Sequence, residues 1–416
     1  MNTGVALSVR RPAGLLNKLY TLCVAIVPML AMYASGVPGF SLADVVLFTF
    51  TFIAALNFSR EDNNKFGGDV KWLFCGMVLI LAFDVVVMLV DSKNLYDVII
   101  RTVRYGFYIF CFAFTSKKLI DVELLKKYVK NITLLSTLYI FLQYVMYKLG
   151  GIVLRGFIPW LPLYNEEYAL RDYETLYQTM YRPTSLFLEP AHFSRYAIIG
   201  LIIILWRSDL NFKDILLGVM VSFGVLLSTS SQGYLLLAVV WLIFALTRAT
   251  KIKSDVVKLI IIIGVMCAPV LIYIIFTLPY VQETILRSLS GSISDSNSAL
   301  GGRLSGFLHF GDLSWFNKIF GAGFGNIPES GWLSSAAYWL YGGGIIIFAI
   351  YLIFLLASLF KLKRENKMIF LIVFILFFSD DSFYSSMCVL FYSLSLLTEV
   401  VSHEKNTVYS DGVGLS

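Results

Sequence analysis

The sequence predicts an all-α polytopic membrane protein of about 12 transmembrane helices with two large outer loops. Three observations carry that prediction. Hydrophobic residues make up 58% of the 416 and charged residues only 14%, against about 25% charged in soluble domains. Apolar stretches recur along the whole chain, each near the roughly 20 residues that a helix needs to cross hydrocarbon. Lysine and arginine, finally, fall unevenly on the connections between those stretches. So few charges exclude a soluble enzyme of two or three globular domains, and the composition equally excludes disorder and a disulfide scaffold. The five cysteines all sit in apolar runs without metal-type spacing and read as small hydrophobes.

In chain order the predicted spans lie at about 15–34, 40–58, 72–90, 98–115, 130–149, 190–206, 213–229, 233–247, 257–277, 332–358, 368–379 and 384–401. The first follows Arg10, Arg11 and Lys18 with no small-residue cleavage site, which makes it a retained span. Before the fifth, the segment 117–130 mixes five lysines with Leu119, Ile120, Leu124, Leu125 and Tyr128, the pattern of a basic amphipathic helix or a solvated connector on the inner surface. The sixth opens on Pro190, which suits a first helical turn and makes Glu189 its N-cap. A short polar hairpin, Ser228 to Gln232, joins the seventh and eighth.

An even number of spans puts both termini on one side. With the N-terminus in the cytoplasm, the inner connections hold 22 of the 33 lysines and arginines, although the outer loops are longer and hold eight. Arg101, Arg104 and Arg195 lie within spans. That asymmetry fixes the orientation, with both ends inside.

The chain thus reads as one integral membrane domain over 1–416, with a first large outer loop at 150–189 and a second at 278–331. Loops of such length are usually functional or disordered. The first is rich in tyrosine and carboxylates, among them Tyr164, Tyr168, Tyr173, Glu166 and Asp172. The second begins with a Ser- and Gly-rich stretch, 288–302, and continues through Phe307, Leu308, Phe310, Trp315, Phe316, Ile319 and Phe320. It reads as a mobile lid whose second half rests on the bilayer surface. Inner connections are too short for a nucleotide-binding domain, so the chemistry faces outward.

The sharpest local signal runs from Arg182 to Tyr196. Helical spacing puts Glu189, His192 and Tyr196 on one stripe with Arg195 at its edge. Polar groups at the outer end of a membrane helix are costly unless they face a cavity or one another, so a functional site is the default reading. The plainer alternative has Glu189 capping the helix and pairing with Arg195. Arg101 and Arg104, one turn apart near the outer end of the fourth span, need anionic partners: either Asp44 and Asp84, or an anionic ligand such as a phosphate. In the lid loop, Arg303 and His309 are candidate closing contacts, and Gln232 is a candidate sugar contact.

Weaker motifs take plainer readings. The glycines from Gly321 to Gly325 form a turn, since no strand precedes them as in a phosphate-binding loop. Asp380 and Asp381, adjacent and without further ligands, read as a solvated loop, and no metal is expected. No Ser-His-Asp arrangement, zinc-protease motif or nucleic-acid signature is present.

The span count, the two large outer loops, the Arg-Pro-Thr-Ser-Leu-Phe-Leu-Glu-Pro run at 182–190 and the Ser-Thr-Ser-Ser-Gln-Gly hairpin together resemble the bacterial O-antigen polymerases (Wzy-type). These are similar to the O-antigen ligases and belong among membrane glycosyltransferases of the polyprenyl-phosphate-sugar class. The resemblance covers the whole chain as architecture and about fifty residues as motif. It implies a bacterial inner-membrane protein with a periplasmic site, an undecaprenyl diphosphate-linked oligosaccharide as substrate, no cofactor, and a flippase and chain-length regulator as partners. The family places arginines in both large loops with a glycine some ten to fifteen residues on. Arg287 has Gly301 and Gly302 at that distance, whereas Arg182 and Arg303 depart from the pattern.

The expected reaction is polymerisation of polysaccharide repeat units. A hydroxyl of an incoming unit attacks the anomeric carbon of a growing glycan, which leaves its polyprenyl diphosphate. Glu189 is the first choice of base and His192 the second, with Arg182 also catalytic. Arg101, Arg104, Arg195 and Arg303 are expected to hold the diphosphate, and Arg287, His309, Tyr196 and Gln232 to meet substrate or lid. The runner-up functions are a flippase for the same lipid-linked oligosaccharide and an O-antigen ligase, which differs only in its acceptor.

Overall fold

The computed structural model describes residues 14–58, 82–87, 89, 95–115, 119–164, 181–207, 210–247, 307–324, 333–362, 364–381 and 385–395, and these are mostly helical. The helices are α1 (Leu15–Leu30), α2 (Leu42–Phe58), α3 (Leu95–Thr115), α4 (Val122–Gly150), α5 (Pro190–Leu205), α6 (Phe212–Leu227), α7 (Ser231–Thr247), α8 (Trp315–Phe320), α9 (Ser335–Lys361), α10 (Arg364–Ser379) and α11 (Met387–Ser395). Extended pairing among the described residues is limited to isolated bridges, Tyr33 with Leu163 and Ala34 with Ser41. The chain is therefore all-α over this range, as its composition predicts. Among the described residues two helices, Val122–Gly150 and Ser335–Phe360, are long and apolar enough to cross a bilayer. The predicted span at 257–277 and most of that at 72–90 lie outside the described residues.

α5 sits at the centre. Every residue from Phe193 to Leu205 is buried, as expected of a helix that is apolar all round. α4, α6 and α7 pack against it at close range because small residues face one another. A Cβ on Gly200 of α5 would lie 2.0 Å from Thr133 Oγ1 of α4, and one on Gly224 of α6 2.8 Å from Thr137 Cγ2. Away from these seams, Leu135, Leu138 and Leu142 of α4, Leu235, Leu242 and Leu246 of α7, and Ile353 and Phe360 of α9 are exposed. An apolar outer surface of that extent suits hydrocarbon better than water.

One expectation is corrected. The lysine-rich segment before the fifth span is no separate surface helix: from Val122 onward it is the first part of a continuous 29-residue α4. Asp121 caps the helix by accepting from Leu124 N–H at 3.1 Å. Leu119, Ile120, Val122, Leu125 and Val129 are buried, and Thr21 of α1 ties the entry by donating to the Leu119 carbonyl and accepting from Asp121 N–H. Lys126 lies along this apolar seam and reaches Glu123 at 3.6 Å, so its stem is buried with its ammonium paired.

α9 is broken within its length. Gly344 takes φ 70° and ψ −179°, and the neighbouring carbonyls are satisfied from outside the helix. Ala322 N–H donates to Tyr341 O at 2.9 Å and Gly323 N–H to Gly342 O at 3.0 Å. Buried non-helical backbone survives only when its polar groups find such partners. The segment after α8 therefore docks onto the break in α9.

Candidate functional site

A cavity of about 500 Å³ lies among the N-terminal ends of α3, α5, α9 and α11 and the C-terminal end of α1. Tyr96, Ile100, Arg101, Arg104 and Tyr105 of α3 form one wall. Leu188 and His192 approach from α5, Asp381, Ser385, Ser386 and Met387 from the α10–α11 junction, and Tyr338 from α9. Pro28, Ala31 and Met32 at the end of α1 and Pro38 and Gly39 before α2 complete the lining with Tyr164.

The α1–α2 connection is held firmly. Tyr164 N–H donates to Met32 O at 2.8 Å and Ala34 N–H to Pro162 O at 2.8 Å. Tyr33 accepts from Ile158 N–H at 2.9 Å.

Arg104 resolves the choice between internal pairing and ligand in favour of pairing on one edge. Its Nη2 lies 2.8 Å from Asp44 Oδ2 and its Nε donates to the Tyr108 hydroxyl at 2.5 Å. Tyr108 donates in turn to Asp44 Oδ1, and Ser41 N–H and Oγ–H reach Oδ2 at 2.7 and 2.9 Å. The guanidinium is thereby fixed at the cavity wall, with Tyr164 stacked 6.0 Å away. Arg101 stands beside the Tyr338 hydroxyl, which itself donates to the Phe324 carbonyl.

The α5 stripe divides. His192 lines the cavity. Glu189 holds the N-cap position in extended backbone but makes no capping bond through its side chain, and the cavity lining contains its neighbour Leu188 instead. Tyr196 is 3% exposed and donates to Ala25 O of α1 at 2.9 Å, a packing role away from the lining. Arg195 binds Asp380 and reaches Asp381 Oδ1 at 3.3 Å. The acidic pair expected to be a solvated loop is thus the counter-charge of α5. Asp380 is buried and Asp381 faces the cavity.

Three other predicted contacts lie elsewhere. Arg182 donates through Nε to Thr229 Oγ1 at 3.1 Å and through Nη2 to Thr229 O at 3.4 Å, so the 182–190 run and the 228–232 hairpin meet each other outside the cavity lining. Gln232, 4% exposed, donates to Ser379 Oγ at 2.9 Å, which ties α7 to α10. His309 stands 4.0 Å from Asp312 in the segment before α8. Trp315 is 82% exposed, and Leu308 and Ile319 are exposed with it. Arg287, Arg303 and the tyrosines of 165–180 lie outside the described residues.

Of the residues singled out from the sequence, Arg101, Arg104 and His192 line this cavity, together with Asp381, Ser385, Ser386 and Tyr105, which the sequence did not mark as site residues. The adjacent aspartates were visible; their partner, 185 residues away, was not. Among the described residues no group of three or more His, Cys, Asp or Glu is placed to hold a metal ion. No protein-family model and no curated protein matches the chain.

Proposed function

We propose that the chain is a bacterial inner-membrane polysaccharide polymerase. It transfers a growing glycan from its polyprenyl diphosphate carrier to a hydroxyl of an incoming lipid-linked repeat unit. The observation that carries the reading is the cavity in which Arg101 and Arg104 face His192 and Asp381. Its lining comes from the connections and helix ends that the lysine and arginine asymmetry assigns to the outer side. About 12 spans, cytoplasmic termini and a periplasmic site follow from the same asymmetry. At that face neither ATP nor a sugar nucleotide is at hand, so the donor must arrive already activated, as a lipid diphosphate does.

In the reaction the acceptor oxygen attacks the anomeric carbon as the bond from that carbon to the diphosphate oxygen breaks. The diphosphate departs with the electron pair, and the acceptor proton passes to a base. His192 and Asp381 are the cavity-lining groups suited to take it, in place of Glu189. Arg104, held rigid by Asp44 and Tyr108, and Arg101 supply fixed positive charge where the leaving group gathers negative charge.

The test is the purified full chain in liposomes with a synthetic polyprenyl diphosphate oligosaccharide. Products lengthened by whole repeat units support the reading. Translocation of a fluorescent substrate without new product makes the protein a flippase. Transfer only when a lipid A core acceptor is supplied makes it a ligase.

A further inference from the structure

Two buried hydroxyls of the cavity lining have no partner. Ser386 is 0% exposed and its Oγ accepts and donates nothing. Tyr105 is 6% exposed; its hydroxyl faces Trp339, yet neither that hydroxyl nor the Trp339 indole N–H completes a hydrogen bond of sound geometry. A buried polar group left unpaired costs about 1–3 kcal/mol, so each such group calls for an explanation.

Their setting supplies one. Ser386 directly precedes α11, a nine-residue helix that is buried throughout. A serine at that position ordinarily turns its hydroxyl back onto the amides of the first turn. Here the Cys388 and Val389 amides are taken by the Ser385 and Ser386 carbonyls at 3.1 and 3.2 Å, the hydroxyl stays unbonded, and both Ser386 and Met387 line the cavity. The start of α11 therefore presents its positive end and an uncommitted hydroxyl to the space that Arg101 and Arg104 border. Asp381 is the opposing charge in this region, and Arg195 answers it together with Asp380. Hydroxyl donors, guanidinium donors and a helix N-terminus around one cavity match a ligand rich in acceptor oxygens.

We propose that Ser386, Tyr105 and the start of α11 form a second anion subsite in the cavity, which binds phosphate oxygens alongside those held by Arg101 and Arg104. The inference rests on the diphosphate reading above and deepens it. A single phosphate occupies the arginine side; the diphosphate fills both subsites.

The proposal separates binding from folding, because removal of an orphaned hydroxyl takes no bond from the protein. Binding of farnesyl diphosphate and farnesyl monophosphate to the detergent-purified full chain is measured by calorimetry, beside the unfolding midpoint, for the wild type, Ser386→Ala and Tyr105→Phe. Each variant keeps or raises the midpoint and binds the diphosphate about tenfold more weakly, while its affinity for the monophosphate changes less than about threefold. Wild-type affinity for the diphosphate in both variants overturns the subsite. So does an equal loss for both probes, or a lowered midpoint in both variants with binding unchanged. A wild-type protein that binds neither probe overturns the diphosphate reading itself, and is thereby distinguished from failure of the subsite alone.

Discussion

Arg195 in the second turn of α5 and Asp380 at the end of α10 form a buried ion pair, with side chains 5% and 3% exposed. The Asp380 main chain is equally engaged, its carbonyl accepting from Ser335 N–H and Oγ–H at the start of α9. One residue thus joins three helix ends beside the cavity. Removing one member of such a pair strands the other charge, at a cost of about 3–5 kcal/mol. Asp380→Ala and Arg195→Met each lower the unfolding midpoint in detergent steeply, and the double variant recovers much of the loss. A wild-type midpoint in Asp380→Ala contradicts the pairing.

Arg104 serves Asp44 and the cavity together, and the two roles separate in a mutant cycle. Arg104→Ala leaves a carboxylate that is 0% exposed facing only Tyr108 and Ser41, and destabilises by about 3 kcal/mol. Asp44→Asn in the same chain removes that charge and restores the midpoint. Glycan elongation stays absent in the double variant if Arg104 also holds the diphosphate. Full elongation there reduces Arg104 to a counter-ion for Asp44.

Thr229 sits at φ 54°, an outlier for a β-branched residue that costs about 1–3 kcal/mol. Arg182 holds it there by bonding both its hydroxyl and its carbonyl. Next to it, Ser228 Oγ meets Ser194 Oγ of α5 at 3.0 Å, two residues from His192. Arg182 is accordingly a clamp on the first turns of α5. Arg182→Ala shortens the polysaccharide ladder of a complemented polymerase-null strain and lowers the midpoint by about 1–2 kcal/mol. Glycine accepts the strained backbone freely, so adding Thr229→Gly recovers both. Recovery of the midpoint without the ladder points to direct contact between Arg182 and substrate.

These cases show what was legible in the sequence. Helices at 15–30, 190–205 and 231–247 follow from apolar runs and from local signals such as Pro190, because hydropathy and the first turn of a helix are local properties. Arg101, Arg104 and His192 were conspicuous as charge or polarity where little is tolerated. Whether such a group faces a ligand or a partner depends on contacts between distant segments. Tyr196 with Ala25, Gln232 with Ser379 and Arg195 with Asp380 are all of that kind, and all three were read as substrate contacts. Ser386 escaped notice because it falls inside the apolar run at 384–401, and only the structure shows that its buried hydroxyl bonds nothing.

The break in α9 gives the most severe single-residue prediction. At Gly344 the backbone combines φ 70° with ψ −179°, a region that only glycine enters readily. A Cβ there meets Gly321 N and Ile319 O, each at 2.4 Å, and both are backbone atoms with no freedom to turn aside. Gly344→Ala must therefore either straighten α9 or push away the segment from α8 to Phe324. In the first case Ala322 and Gly323 lose their carbonyl partners. In the second, Phe324 leaves Tyr105 and Trp339, whose rings it contacts at 6.1 and 5.6 Å. The second route disturbs the cavity wall through Tyr105. Gly311, just before α8, has nothing within 4 Å of a built Cβ, so Gly311→Ala is the matched control. Gly344→Ala lowers the unfolding midpoint by at least about 3 kcal/mol equivalent and abolishes elongation, while Gly311→Ala leaves both near wild type. Limited proteolysis reads the same event directly: cleavage between 307 and 324 accelerates only in Gly344→Ala. Unchanged cleavage and stability in that variant would show that the segment does not depend on the break for its docking.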